Sequence, residues 1–470
     1  MTTHAEIERK YEAESDTSVP ALDTIPGVTT TSGPKHETLE AIYYDTPDLR
    51  LVRSGMTLRR REGGADEGWH LKVPAGPDQR EEIRLPLDGS LGDLATLVQG
   101  ITRGEPLEPV AHIRTNRTRW ELLGRKGKLL AEVTDDRVTT DDKSWRELEV
   151  ELGEGPRDLL DAAEENLRRA GFRRSKVPSK LSRALNRPIE KREPVHRKAK
   201  AGTAVIAYIA GQVDTLKHYD ILVRQDTDDA VHQMRVATRR LRSALRVYRR
   251  LLDTGDLAAE LRWLGQRLSP ARDLEVQYDR IQQAVSSLPV ELVPGPVQAR
   301  LTRHFGPLQQ EAGEHVLQTL RSKRYMKLLD RLDALVAEPP LTKKAGRKAR
   351  KELPVHLARA HRKTARRVAA GEIHPARKAG KRLRYALEAA VPVLGKRADK
   401  ARKRAKEFTK LGGEYQDHVV SLPTLRELAM QSHAANENAF TFGLLHGRAQ
   451  AEAAQVERQL PGSWKRVKGV

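Results

Sequence analysis

From Thr203 onward, apolar residues recur at spacings of three and four, the period of an amphipathic helix. The pattern predicts helices over 204–223, 230–252, 257–267, 274–285, 296–317, 325–336, 354–369, 375–391, 400–411 and 422–460. Two segments interrupt it. Residues 288–296 hold three prolines and a glycine, and the basic run 339–351 reads as a solvated loop rather than a binding element. Residues 1–190 follow a different rhythm. Short β-compatible stretches at 41–45, 56–61, 68–73, 81–85, 117–122, 128–133 and 145–152 are punctuated by Gly, Asp and Pro, and residues 158–171 read as a helix. Several short strands in succession favour a closed or strongly curved sheet. Pro188 and Pro194, with charges between them, mark a semi-rigid spacer. The chain therefore divides into a domain over 1–188, a linker over 189–200 and a second domain over 201–465.

The polar faces of the strands are unusual. Glu6, Glu8 and Lys10 share a face of the first strand, as do Arg59 with Arg61, His70 with Lys72, and Arg117 with Arg119. Glu147, Glu149 and Glu151 alternate with Leu148, Val150 and Leu152. Solvent-facing strands usually mix charges with Ser and Thr, whereas these strands are mostly of one sign. A barrel with acidic strands on one side and basic strands on another suits an anion bridged by a metal. Carboxylates hold the cation, and arginines and lysines hold phosphate oxygens.

In the helical half, His232, Arg235, Arg239, Arg242 and Arg246 fall within about 80° of arc on one helix, beside an apolar arc of Met234, Ala237, Leu241, Leu245, Tyr248 and Leu252. The stripe returns 142 residues later as His374, Arg377, Lys381, Arg382 and Arg384, with Leu383, Ala386 and Leu387 in the matching apolar places. Asp273-Leu-Glu-Val276 and Asp417-His-Val-Val420 follow the two copies at nearly the same offset. The repeat suggests two similar helical bundles, each contributing a basic stripe. A single basic helix would read as a solvated face. Two phase-matched stripes point to a polyanion.

Charge sharpens this picture. The chain has 470 residues and a formal net charge of +21. Residues 1–190 hold 30 Lys+Arg against 35 Asp+Glu, and 191–470 hold 55 against 29, so the halves carry −5 and +26. Such asymmetry joins a polyanion-binding part to something else. Aromatics are only 4% of the chain, which leaves little for stacking on bases and disfavours nucleic acid. There are no cysteines, hence no disulfide framework and no thiolate metal site, which fits an intracellular protein. No apolar run is long enough to span a bilayer, and the N-terminus lacks the apolar core of a signal peptide.

The first half resembles the CYTH domain, the triphosphate tunnel metalloenzyme superfamily. The resemblance rests on Glu6-x-Glu8-x-Lys10, Tyr44-Asp-Thr46, Leu58-Arg-Arg-Arg61, Lys72, Arg80-x-Glu82, Arg117-x-Arg119, Glu132, Glu147-x-Glu149 and Ser179-Lys180, which come in the family's order across residues 3–185. It implies an eight-stranded tunnel that binds triphosphates with Mg²⁺ or Mn²⁺. It also implies Glu6, Glu8, Glu147 and Glu149 as metal ligands, and Lys10, Arg59, Arg61, Lys72, Arg117, Arg119 and Lys180 on phosphates. Glu6, Glu8 and Lys10 are the residues assigned to catalysis. Asp136 is in phase with Glu132, and Arg114 is the alternative to Arg117 if the register shifts.

The second half resembles the CHAD domain, the conserved histidine α-helical domain, over 200–460. The carriers are the two stripes, Arg272-Asp273, Gly412-Gly-Glu-Tyr-Gln-Asp417 and Ser322-Lys-Arg-Tyr325, with Glu275 where the family more often has Asp. The resemblance implies two four-helix bundles and binding of inorganic polyphosphate, through His232, Arg235, Arg239, Arg242, His374, Arg377, Lys378, Lys381 and Arg384. Bases surround both histidines, so neither is read as a metal ligand.

The expectation is a multidomain protein. An N-terminal α+β domain with a closed antiparallel β-tunnel is joined to a C-terminal all-α domain of two pseudo-symmetric helical bundles. The tunnel hydrolyses a triphosphate, inorganic triphosphate first among candidates, with Mg²⁺ or Mn²⁺. The helices bind polyphosphate, in the cytoplasm and in association with polyphosphate granules. The rival readings are a non-catalytic polyphosphate-binding protein and a tunnel enzyme of the thiamine-triphosphatase or nucleotide-cyclase type.

Overall fold

The computed structural model describes residues 1–12, 14, 16–187, 192–467 and 469. The chain forms two compact units, Met1–Lys191 and Arg192–Val470. Part of the expected linker, residues 189–191, lies outside the described residues.

The first unit is built on eight strands: β1 (Thr2–Glu12), β2 (Thr30–Asp45), β3 (Thr57–Glu62), β4 (Gly68–Gly76), β5 (Gln79–Leu85), β6 (Glu108–Leu123), β7 (Leu129–Thr139) and β8 (Ser144–Leu152). Their order is β5-β4-β3-β2-β6-β7-β8-β1, and β1 returns to pair with β5, so the sheet closes into an antiparallel barrel. Closure leaves these eight strands without a free edge. A two-residue strand, β9 (Arg173–Arg174), adds to the end of β1. Helices α1 (Arg50–Arg53), α2 (Leu91–Leu97) and α3 (Gln99–Thr102) lie between strands, and α4 (Asp158–Arg169) and α5 (Lys180–Ala184) follow the barrel.

Alternation along the strands assigns two faces. Outward residues Tyr11, Leu122, Ala131, Val133, Leu148 and Val150 pack on Leu159, Leu160, Ala163 and Leu167 of α4. Most inward residues are ionic, but Ala41, Tyr43, Ile113 and Val138 cluster with Leu181 of α5. Helix α5 thus lays its apolar side against inward-facing positions. The Ser179 hydroxyl caps it by accepting from the Ser182 amide at 3.1 Å. Strands β2 and β6 have 16 residues each, far longer than the stretches 41–45 and 117–122 suggested. Register shifts between Ser32 and Lys35 and between Tyr43 and Tyr44 interrupt the period of two, which hides the full strands from a pattern search.

The second unit is helical: α6 (Ala201–Arg224), α7 (Ala230–Val247), α8 (Leu257–Arg267), α9 (Ser269–Ser286), α10 (Val297–Arg321), α11 (Lys323–Ala337), α12 (Ala349–Ala369), α13 (Ile373–Leu394), α14 (Lys396–Ala434) and α15 (Phe440–Lys465). It has two bundle cores. The larger centres on α6, α7, α12 and α13, with α8 and α11 added. The smaller joins α9, α10, α14 and α15 through Ile281, Leu301, Phe305, Leu428, Phe442 and Leu445. Each core therefore draws on both copies of the repeat. The expectation that each bundle carries one stripe is corrected: α7 and α13 lie in the same core, where the Tyr248 hydroxyl donates to the Ala386 carbonyl at 2.7 Å.

Three local expectations also change. Helix α7 ends at Val247, so Tyr248 and Leu252 reach the core from beyond it. Gly412 and Gly413 sit inside α14, while the break falls after Ala434, where Asn436 takes φ 55°. Residues 339–351 are not a loose loop. Ala345 is buried, the Thr342 amide donates to the Leu251 carbonyl at 3.0 Å, and the Ala201 amide donates to the Arg347 carbonyl at 2.8 Å. Among the described residues, no helix is long and apolar enough to cross a membrane.

Candidate functional site

The register of the barrel decides which acids meet. Asp136 on β7 stands opposite Glu147 on β8, and Glu149 follows two residues on, on the same face. One carboxylate oxygen from each lies within 4.8 Å of the other two. The Lys180 ammonium sits among them, 2.8 Å from Asp136 Oδ2, Glu147 Oε1 and Glu149 Oε1. Across β6–β7, Arg117 donates from Nε and Nη2 to Asp136, each at 2.7 Å. Burial opposes charge on Asp136, but Lys180 and Arg117 outweigh it and hold the carboxyl below its usual range. Burial likewise opposes charge on Glu149, and Lys10, Lys180 and Arg117 hold it well below that range. Burial would lower the Lys180 pKa, yet Asp136, Glu147 and Glu149 raise it well above normal.

This donor set fits a hard divalent cation. All three donors are carboxylate oxygens, as Mg²⁺ and Mn²⁺ prefer. The buried Glu147 Oε1 accepts no aligned hydrogen bond, since its contact with Lys180 is an ion contact only.

Glu6 and Glu8 line the adjoining wall, each with its own cations. Glu6 accepts from Lys72 Nζ at 2.6 Å. Burial pushes its pKa up, and Glu82 and Glu8 add to the rise against Lys72. Glu8 lies 3.3 Å from Lys10 and 3.6 Å from Arg80. Burial opposes its charge, but Lys10 and Lys72 hold its pKa down. Lys10 also pairs with Glu149. Of the four expected ligands, the structure thus groups Glu147 and Glu149 with Asp136, and sets Glu6 and Glu8 beside them on β1.

The basic wall lies on β3, β4 and β6. Arg59 donates to the Tyr43 hydroxyl at 3.3 Å, and its Nε, like those of Arg61 and Arg119, is buried without a hydrogen-bond partner. Arg61 pairs with Asp66, and burial and Arg59 push its pKa down to about 10. Arg119 lies 3.3 Å from Glu132. Arg114, the register alternative to Arg117, is exposed and lies 3.6 Å from Glu40. His70 is buried against Glu82 at 2.8 Å, and burial, with Arg59 and Arg61, pushes it down to about 4. Glu82, Tyr43, Arg80 and Arg84 are neighbours that the sequence-derived site left out. Arg80-x-Glu82 was visible as a motif, but Tyr43 looks like any core tyrosine.

The two stripes of the second unit converge. Arg377 and Lys381 on α13 feel Arg239 on α7, and Arg242 feels Arg382. Burial, then Arg377, Arg239 and Arg384, push Lys381 down to about 7. Burial, then Arg272, push His232 down to about 4, and its Nδ1 is buried without a partner. The Nε atoms of Arg239 and Arg377 are buried and unpartnered too. Arg377 lies across Gly412, where an added Cβ would sit in ordinary van der Waals contact with its side chain, 3.4 Å away. The repeated aspartates now have a role. Arg235 donates to Asp273 at 2.8 Å, and Asp417 faces Arg377. His374 is exposed, with Nδ1 2.5 Å from Gln416 Oε1, and Lys378 is exposed beside it. Arg384 lies over the Tyr385 ring at 4.5 Å.

Residues 4–184 match the CYTH domain and residues 207–426 match the CHAD domain. The uncharacterized protein Rv2226 of Mycobacterium tuberculosis is 36% identical over 515 residues, covering 99% of this chain and 96% of that one. Among solved structures, PptA from Streptomyces chartreusis aligns with TM-score 0.47 at 20% identity, over 57% of this chain and 100% of that chain. The CHAD domain from the plant Ricinus communis aligns with TM-score 0.48 at 23% identity, over 59% of this chain and 96% of that chain. The chain belongs to the family that joins an N-terminal CYTH domain, the fold of triphosphate tunnel enzymes, to a C-terminal CHAD domain.

Proposed function

We propose that the tunnel hydrolyses inorganic triphosphate to pyrophosphate and phosphate, and that the helical unit binds inorganic polyphosphate. The observation that carries the first part is the group of Asp136, Glu147 and Glu149, paired with Arg117 and Lys180, in the same closed barrel as Arg59, Arg61 and Lys72. Acids weaken the binding of an anion unless a cation joins them, so a pure polyphosphate-capturing tunnel has no use for them. Asp136, Glu147 and Glu149 would hold a divalent cation, with Glu6 and Glu8 next to it. That cation would neutralise phosphate oxygens and acidify a water. The chain's own part is positioning and charge. Arg59, Arg61 and Arg117 orient the phosphate oxygens by their guanidinium forks. Lys10, Lys72 and Lys180 balance charge on the wall where acids and phosphates meet. No protein nucleophile is required for such a transfer.

The test is a substrate panel on the full chain with Mg²⁺ and Mn²⁺: inorganic triphosphate, ATP, thiamine triphosphate and long-chain polyphosphate. Fastest turnover of inorganic triphosphate, lost with EDTA and restored by metal, is expected. Preference for an organic triphosphate replaces the substrate, and metal-independent turnover overturns the mechanism. The polyphosphate reading is supported by the convergence of Arg239, Arg377 and Lys381 with few acids near them.

A further inference from the structure

Lys180 raises a question that phosphate binding alone does not answer. Its ammonium is not aimed at open space. It is 2.8 Å from one oxygen of each of Asp136, Glu147 and Glu149, the group that fits a divalent ion. The side chain is almost wholly buried. Its backbone is fixed on two sides. Ser179 caps α5, and Leu181, the next residue, is fully buried in the cluster with Ala41, Ile113 and Val138. The anchor is rigid, but the four-carbon stem above it is flexible and carries a point charge.

We propose that Lys180 is a built-in counter-cation that competes with the divalent metal for Asp136, Glu147 and Glu149. A metal entering this group must displace the ammonium, because two cations that close to each other repel strongly in a buried site. Once displaced, Lys180 keeps its anchor and becomes available to a phosphate oxygen in the same tunnel. The lysine thus lowers metal affinity when no anion is present and returns that cost when a triphosphate arrives. Metal and triphosphate then load together, and the acids are never left without a positive partner. The destination of the displaced ammonium rests on the triphosphate reading. The competition itself does not.

The experiment is a Mn²⁺ titration of the full chain with no phosphate present, following free Mn²⁺ by electron paramagnetic resonance. Lys180→Met and Lys180→Gln are expected to bind Mn²⁺ about tenfold more tightly or better, and Lys180→Arg to stay near the parent. Equal or weaker binding by the neutral variants overturns the proposal. A second measurement needs no variant. Acetylation of Lys180 by acetic anhydride, read by mass spectrometry of its peptide, should be slow in the metal-free protein and rise several-fold with saturating Mg²⁺. Unchanged or slower labelling overturns the proposal even if the variants fail to fold. Neither readout involves turnover, so a failed substrate panel and a failed competition are separate results.

Discussion

In the tunnel, Lys10, Lys72, Arg117 and Lys180 each touch a carboxylate, whereas in the helical seam Arg239, Arg377 and Lys381 crowd together with Asp417 beside Arg377. A lysine in each region shows the contrast, its pKa moved in opposite directions. Acids raise Lys180 well above its normal range, and burial with neighbouring arginines lowers Lys381 to about 7. A paired site is near neutral and must take up a cation before an anion gains from entering. A site with an excess of positive charge gains from the anion directly. The tunnel therefore suits chemistry on a small ligand that brings its own metal, and the seam suits holding a long chain of phosphates.

The sharpest way to break this contrast is to remove charge from the acidic wall. Glu6→Gln with Glu8→Gln should lower triphosphate turnover by about a thousandfold or more, with polyphosphate binding by the seam retained. Turnover assays and a filter-binding assay on the same preparation check it, and a fully active double variant ends the metal-dependent reading.

The next effect belongs to the seam. Arg239→Glu with Lys381→Glu should weaken polyphosphate binding by about a hundredfold, while the exposed pair Lys343→Glu and Lys344→Glu should cost only a few-fold. Fluorescence anisotropy with end-labelled polyphosphate separates them, and equal losses would reduce the seam to general basicity.

A smaller effect concerns pH. Lys381 faces Arg377, Arg239, Arg384 and Asp417 and has a pKa of about 7 when no anion is bound. Phosphate oxygens raise that pKa, so binding takes up a proton above pH 7. Affinity should be greatest below pH 7 and fall a few-fold as pH rises toward about 9. Lys381→Arg, which stays charged throughout, should flatten the profile. A proton uptake measured by calorimetry in two buffers would confirm the sign. Salt also separates the two regions. Seam affinity should drop steeply between about 50 and 200 mM salt, while the substrate dependence of the screened tunnel changes less.

Much of this was readable from residue order, for reasons that differ by element. The 3–4 spacing of Met234, Ala237, Leu241 and Leu245 identifies a buried helix face because each of these residues is apolar and the period is unbroken. The ionic strand faces were visible for the same reason. What a period of two cannot tell is which strand lies next to which, and that decides the site. Asp136 is one acid among several on its strand until β7 and β8 set it opposite Glu147. The helix expected to end at 411 runs on through Gly412 and Gly413, although glycine disfavours helices by about 1 kcal/mol. Both glycines pack beside Arg377, a contact that no local pattern shows.

The mixing of helices in the two cores has a consequence for how this unit folds. Because α6 and α7 share one core with α12 and α13, and α9 and α10 share the other with α14 and α15, neither copy of the repeat owns an interior. Partners more than a hundred residues apart in sequence must meet before either interior is dry, so the unit is a high-contact-order object despite being all helix. Melting should show one transition for this unit rather than one per copy. A polypeptide severed near Glu338 should yield halves that stay partly unfolded apart and reassemble when mixed, like two combs that hold their shape only when interlocked.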